Sequence, residues 1–404
     1  MIKKVVFVHT DFRLYWPSRL KRLSDFLAEK DIDLIVIEIS GKGSPYSFEK
    51  SSVKPQGVNW ICLFEGKKME DIFPRQAVFK VIEMLNEIDP DVIFAGSIAF
   101  PSGAAAVNWC NKFKKPLVVF DDARIEDVPR SWYVNWIKKQ VYSFVDAMLI
   151  PAPSHDSSYK YFGFLSSQLF YGINCIDNEY FAAISGKRQK IFVNAFRIKP
   201  YFLVVGRQIP VKNLISLVSV FKKISNKSEM NGLNLILIGD GPDHDQLIDI
   251  ANDLNNNRIF FFGFKNQDEI RFFYHNAIAL VMPSLRETWG LVVNEAMAAG
   301  LPILISQNCG CSETLVEDGN NGIIFDPGDE KEIAESLLLF ASLNEYDKKK
   351  MGTRSFEIIR SWGLERFCQG VWQAIEYSLS KRKKYGSLSG RLIIKCWKGR
   401  YKPV

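Results

Sequence analysis

The chain has 404 residues, 47% hydrophobic and 24% charged, with a formal net charge of +7. That composition excludes a disordered polar chain and a collagen-like one, and at roughly 100–200 residues per domain it suggests two domains. Nine Lys and Arg fall between Lys381 and Lys402, the last acidic residue is Glu376, and everything before this segment carries −2. A body with no basic excess is not built to read a phosphate backbone, so no nucleic-acid partner is expected. The seven scattered cysteines fit a reducing compartment, and the close pair Cys309 and Cys311 lacks a second pair at zinc-binding spacing. No run of about 18 apolar residues occurs, so no segment is expected to span a bilayer. The expected location is cytoplasmic or peripheral on the inner face of the cytoplasmic membrane.

Short apolar runs alternate with helix-like stretches in chain order. Strands are expected at Lys4–Val8, Leu34–Ile39, Trp60–Phe64, Val92–Ala95, Leu117–Phe120 and Ala147–Pro151, with helices near Ser18–Glu29, Phe73–Glu87, Trp132–Phe144 and His155–Phe164. A second series follows at Phe202–Val205, Leu233–Ile238, Ile259–Phe262, Ala279–Met282 and Ile303–Ser306, with helices near Leu214–Ile224, Gln246–Leu254, Glu269–His275 and Leu291–Ala299. Continuous apolar strands between helices are buried parallel strands, so the expectation is α/β, with two Rossmann-like doubly wound domains. The polar, basic stretch near Ile184–Arg197 reads as a hinge, giving domains 1–190 and 191–362. From Asp329 the pattern reads as helical through Lys383, and 384–404 as a basic tail.

Ligands of such sheets bind beyond the carboxyl ends of the strands. After Phe202–Val205 come Gly206, Arg207 and Lys212 at a strand-to-helix turn, a pattern suited to a phosphate group. After Leu233–Ile238 comes Gly239-Asp240-Gly241-Pro242, which opens like a dinucleotide fingerprint but has His244 at the third glycine. It reads as a tight turn rather than an NAD site. The stretch Met282–Gly300 places Ser284 and Glu287 on a post-strand loop, with Thr288 as a helix cap. Gly290 and Leu291 follow in the first turn, where backbone N–H groups suit a diphosphate. Glu295 lies one turn beyond Leu291, about 6 Å along the axis, within reach of a ribose. The alternative for Glu295 is a solvated helix glutamate. The Asp-x-Asp triplets Asp31/Asp33, Asp89/Asp91 and Asp243/Asp245 lead into strands or open a helix, so no metal site is assigned.

Together Gly206-Arg207 with Lys212, Gly239-Asp240-Gly241-Pro242, Phe262-Gly263-Phe264, and Glu287 with Glu295 resemble family 4 of the retaining glycosyltransferases, the glycosyl transferases group 1. The segment Pro302-Ile-Leu-Ile-Ser, Gly310 and Glu313–Asp329 continue the pattern, as does Gly172–Phe181. Specific similarity covers roughly 170–330; the N-terminal part matches in layout only. The resemblance implies the GT-B fold, two Rossmann-like domains facing across a cleft, with helix 363–383 crossing back to the first. It implies that Arg207 and Lys212 bind the diphosphate of a UDP- or GDP-linked sugar, that Glu295 binds ribose, and that Glu287 contacts the transferred sugar. Backbone near Phe264 and Lys265 would meet the base, and Gly290 and Leu291 would give amides to phosphate or sugar. The implied reaction is metal-independent, retaining transfer to a glycan or lipid-linked glycan, in bacterial surface polysaccharide or lipopolysaccharide assembly. The family's glycine-rich loop after the first strand is replaced here by His9-Thr-Asp-Phe-Arg-Leu-Tyr15, and its N-domain histidine by the Asp122 segment with Asp127 and Arg130. His9 or Asp122 would then face the sugar, or His9 is a strand-end histidine. Other readings are a non-catalytic sugar-nucleotide-binding subunit, an epimerase or phosphorylase on the same fold, and a Rossmann oxidoreductase. The 381–404 segment, with Leu392, Ile393, Ile394 and Trp397 among its bases, reads as an anchor for an anionic bilayer or as a disordered basic tail.

Overall fold

The computed structural model describes residues 2–42, 54–127, 130–183, 200–252, 258–380 and 386–400. The chain divides into two compact units: Met1–Ile176 with Leu364–Val404, and Asp177–Gly363.

The first unit holds β1 (Lys4–His9), β2 (Asp33–Lys42), β3 (Asn59–Lys68), β4 (Val92–Ala95), β5 (Leu117–Phe120), β6 (Ala147–Ile150) and β7 (Leu169–Tyr171). They form one parallel sheet in the order β3-β2-β1-β4-β5-β6-β7. Its helices are α1 (Trp16–Ala28), α2 (Pro74–Ile88), α3 (Pro101–Phe113), α4 (Trp132–Tyr142) and α5 (Asp156–Tyr161). Both faces of this sheet are covered, which is why Val5-Val6-Phe7-Val8 reads as an unbroken apolar run. Val6 and Val8 enter a core with Val81, Ala105 and Val141, while Val5 and Phe7 enter another with Leu20, Leu23 and Val371.

The second unit holds α6 (Asn178–Ala182), β8 (Tyr201–Val205), α7 (Leu214–Ile224), β9 (Asn234–Ile238), α8 (His244–Asn252), β10 (Ile259–Phe261), α9 (Gln267–Tyr274), β11 (Ala279–Met282), α10 (Leu291–Ala298), β12 (Ile303–Ser306), α11 (Ser312–Leu315), β13 (Gly322–Phe325), α12 (Glu330–Ser342) and α13 (Glu345–Arg360). Its sheet is also parallel, in the order β10-β9-β8-β11-β12-β13. The strand order reverses between β8 and β11, so their carboxyl ends lie side by side.

Two further helices, α14 (Leu364–Ser380) and α15 (Leu388–Cys396), return to the first unit. In α14, Phe367, Cys368, Val371, Ala374, Ile375 and Ser378 are buried, a helical stripe laid on α1, β5, β6 and β7. Gly370 permits this approach: a Cβ there would lie 2.0 Å from the Tyr171 carbonyl oxygen.

Several expectations are corrected here. The unit boundary falls at Ile176/Asp177, not 190/191, because α6 packs against α10 of the second unit; the expected hinge at 184–197 lies outside the described residues. The long helical pattern after Asp329 is three helices, interrupted at Leu343-Asn344 and Ser361–Gly363. The 384–404 segment is not a tail throughout, because α15 packs on α4 and α3. Ser387 caps it by accepting from the Gly390 amide, and Trp397 Nε1 donates to the Ile98 carbonyl at 2.6 Å. Helix α3 was missed because residues 101–107 are buried all round, which erases any amphipathic period.

Candidate functional site

The turn after β8 runs through Gly206 and Arg207 into a single 3-10 turn, Pro210–Lys212, before α7. Asn213 between them takes a left-handed conformation, φ 54°, and its amide donates to the Pro327 carbonyl. Gln208 is fully buried and acts as a rivet: its amide donates to the Gly239 carbonyl, and its other end meets His244 Nδ1 at 2.7 Å. The Gly206 and Gly239 turns touch backbone to backbone, since a Cβ on Gly239 would lie 1.9 Å from the Gly206 oxygen. His244, which stands where a dinucleotide fingerprint has its third glycine, is thus a structural brace. Its place speaks against an NAD site.

The loop after β11 is fastened to its neighbours on both sides. Leu285 N donates to the Val211 carbonyl at 2.9 Å, and Gly310 N donates to the Glu287 carbonyl at 2.9 Å. These bonds bring the Lys212 turn and the Glu287 loop together, and Lys212 Nζ forms an ion pair with Glu287 Oε2. Both side chains are largely buried, 20% and 17% exposed. Sequence reasoning had put these two at separate jobs, one on phosphate and one on sugar; the fold sets them in direct contact. Arg207 is exposed beside them on the same turn, and Ser284 is buried at the base of the loop.

Helix α10 begins after Gly290, whose φ of 101° selects glycine and where a Cβ would press to 2.9 Å from Met282 Cε. Gly290, not Thr288, occupies the cap position, and no side chain caps the helix. First-turn amides of a helix have no i−4 acceptor; the Val293 amide turns back to the Gly290 carbonyl at 2.9 Å, which leaves the Leu291 and Val292 amides as the donors at this point. One turn on, Glu295 is 3% exposed and accepts a 2.6 Å hydrogen bond from the Tyr274 hydroxyl. The solvated-glutamate reading is therefore corrected. Tyr274 was missed: it lies in the buried row of α9 with Ile270 and Phe273, and its hydroxyl is the only polar signal there. Phe264 and Lys265 follow β10, an edge strand. Phe264 is exposed, Lys265 lies 3.9 Å from Glu269, and the Gly239 amide donating to the Gly263 carbonyl joins this turn to the rest.

In the first unit the sequence-selected residues also lie at strand ends. His9 ends β1 inside an aromatic cage of Phe12, Trp16, Phe100 and Phe120, with ring centroids 5.3–6.2 Å away. Gly96 makes room for it, since a Cβ there would fall 2.1 Å from His9 Nδ1. Burial pushes the His9 pKa below its usual value, opposed by Asp11 and Asp121. Its Nδ1 is buried with no hydrogen-bond partner. Asp122, after β5, accepts from Asn174 Nδ2 at 3.2 Å, and Asp127 is bound by Arg124 through two 2.8 Å bonds. Asp121, passed over in the sequence, acts on His9 and accepts from Tyr142. Among the described residues no three His, Cys, Asp or Glu side chains converge as a metal-binding group, and Cys309 and Cys311 are buried thiols.

Comparison with known proteins adds a family signal. Residues 187–355 match the family model described as Glycosyl transferases group 1. The sulfoquinovosyl transferase SQD2 of Arabidopsis thaliana is 27% identical over 271 residues, covering 64% of this chain and 51% of that protein. The chain spans about half the length, or less, of the curated relatives it matches. A solved glycosyltransferase from Rickettsia africae superposes with a TM-score of 0.73 at 14% identity, covering 94% of this chain and 99% of that one. Anabaena HepE, solved with UDP and glucose, gives 0.70 at 16%, covering 93% and 99%. These likenesses establish the fold: two parallel-sheet Rossmann-like units, as in GT-B proteins.

Proposed function

We propose that this chain, whose residues 187–355 match the glycosyl transferases group 1, moves a sugar from a UDP- or GDP-linked donor to a hydroxyl of a glycan or lipid-linked glycan. The observation that carries this reading is the constellation at the β8/β11 reversal: Arg207, the Lys212–Glu287 pair, the glycine-started helix and buried Glu295. Such a reversal is where doubly wound sheets bind ligands. As a diphosphate leaves, negative charge grows on its oxygens. Arg207, Lys212 and the α10 amides stabilise that charge without reorganising, which lowers the barrier. Glu287 orders the lysine and presents a carboxylate beside the departing sugar, where it holds hydroxyls. Glu295, fixed by Tyr274, accepts from the ribose hydroxyls. This scheme uses cationic side chains and amides where other sites use a metal, and it is read as metal-independent.

The UDP-glucose seen with Anabaena HepE supports a uridine nucleotide sugar as the first donor to try. Retention of anomeric configuration, and a place in bacterial surface polysaccharide or lipopolysaccharide assembly on the cytoplasmic side, complete the reading. The test uses donor hydrolysis across a panel of nucleotide sugars together with nucleotide binding. Glu287→Ala should cut turnover at least about tenfold while nucleotide still binds, whereas Lys212→Ala should weaken the nucleotide itself. Wild-type turnover in Glu287→Ala at saturating donor would overturn the assignment. A non-catalytic binding subunit would bind nucleotide and hydrolyse none.

A further inference from the structure

We propose that α4 and α15 together form a face that docks this chain on an anionic lipid bilayer. Helix α4 turns large side chains to solvent: Trp132 is 79% exposed, with Tyr133 and Trp136 also exposed. Trp132 and Trp136 are four apart and so share one side of the helix. On α15, Leu388 and Leu392 have the same spacing and are 81% and 68% exposed. Each helix has a buried opposite side, Lys138, Val141 and Tyr142 on α4, Gly390 and Ile394 on α15. The exposed apolar groups are therefore surplus to the core of the fold.

The two faces adjoin. Gln140, four residues past Trp136 and so on the same side of α4, accepts from Ser387 Oγ at 2.6 Å and Ser389 Oγ at 3.1 Å. Gly390 allows the close fit, since a Cβ there would lie 2.9 Å from Phe144 Cε2 and 3.2 Å from the Gln140 carbonyl. The result is one surface of two tryptophans, a tyrosine and two leucines, well beyond a single stray apolar residue.

Charge selects the occupant. Neither helix contains an acidic residue; α4 carries the exposed Lys139, α15 carries Arg391 and Lys395, and Lys398 and Arg400 follow. Aromatic side chains set among bases match the headgroup layer of an anionic membrane, where Trp and Tyr concentrate and Lys and Arg meet lipid charge. The inference refines the sequence-based tail anchor: lipid contact is assigned to a folded two-helix surface, with Lys139, Arg391, Lys395, Lys398 and Arg400 supplying attraction. It supports the reading of a lipid-linked acceptor but rests on other residues, so the two fail separately.

The test is co-sedimentation of the full chain with vesicles of phosphatidylcholine alone or with phosphatidylglycerol. Two double variants are compared, Trp132→Ser with Trp136→Ser, and Leu388→Ser with Leu392→Ser; melting temperature checks folding. Wild type should pellet with the anionic vesicles and less so as salt rises. Each double variant should lose at least about tenfold in partition while nucleotide binding is unchanged. Wild type left in the supernatant would overturn the proposal, as would both variants pelleting like wild type, which would make the bases alone the anchor. Self-association of wild type that the variants abolish, with no vesicle binding, would make the face a protein interface and equally sink it.

Discussion

Tyr274→Phe isolates the contact that gives Glu295 its orientation. The change removes one hydroxyl, leaves ring volume intact, and opens no cavity. The hydroxyl donates at 2.6 Å to a carboxylate that is 3% exposed, so its loss strips a buried acceptor of a partner. A hydrogen bond to a charged group is worth about 1.5–3 kcal/mol. For a unit of this size, 1 kcal/mol shifts the midpoint by about 2–4 °C, so the expected drop is roughly 3–12 °C. Donor binding should weaken too, because a carboxylate that has lost this bond is less ordered before it meets the ribose proposed to bind it. Ordering one side chain costs about 0.5–1.5 kcal/mol, a loss of several-fold in affinity. Differential scanning fluorimetry with and without UDP reads both effects. An unchanged midpoint together with an unchanged UDP affinity would refute the claim that Tyr274 positions Glu295.

Stability should fall as pH drops below about 6.5, the ordinary histidine value. Burial depresses both His9 and His275, so the native state binds fewer protons than the unfolded chain; the stabilisation is complete above that pH and is lost on acidification. Glu38, raised by burial, acts in the opposite sense as pH rises through its own titration, so the histidine slope is read as wild type minus His275→Gln in urea melts at several pH values. Excess EDTA should leave donor turnover intact, and loss restored by Mg²⁺ or Mn²⁺ would redirect attention to the acidic triplets. Gly290→Ala should reduce donor turnover and melting temperature together, since φ of 101° and the Met282 contact both oppose a Cβ, and an unaffected variant would show that the helix start is not constrained.

The strand framework was legible because both sheets are parallel and covered on both faces, which leaves unbroken Val, Ile, Leu and Phe runs such as Leu117–Phe120 and Ile303–Ser306. Elements with no such contrast escaped: β7 and β13 are three and four residues long, and α3 is buried on every side. The residues proposed for the donor side, Arg207, Lys212, Glu287 and Glu295, stand out in the sequence because they follow strands or open a helix at characteristic spacing. Their mutual contacts do not. The Lys212–Glu287 pair joins residues 75 apart, and the Tyr274–Glu295 bond crosses from α9 to α10. Such meetings are set by sheet order, and strand order is not written in local periodicity. The last helix illustrates the same limit: a basic segment reads as a tail until Gly390 and Ser387 are seen fitted against α4.

The two sheets differ in what they place at their reversal points, and the difference argues for a role for His9. In the second unit the reversal between β8 and β11 is lined by charge. In the first, the reversal between β1 and β4 is lined by rings, with His9 among Phe12, Trp16, Phe100 and Phe120. Aromatic walls suit the apolar faces of a sugar better than a diphosphate. Within that cage a neutral imidazole with an unpartnered Nδ1 is costly to maintain, because a buried polar atom without a bond forfeits about 1–3 kcal/mol. A plain strand-end histidine would have been satisfied by its neighbours. The orphan nitrogen is therefore expected to meet a hydroxyl of sugar or acceptor during turnover. His9→Phe retains the ring and removes the orphan, so the variant should be at least as stable as wild type. UDP affinity should hold, since the charges proposed to bind the donor lie in the other unit, while transfer should fall by at least about tenfold, less than the full contribution of a positioned acid–base group. Transfer at the wild-type rate in a stable His9→Phe protein would return His9 to a purely structural role.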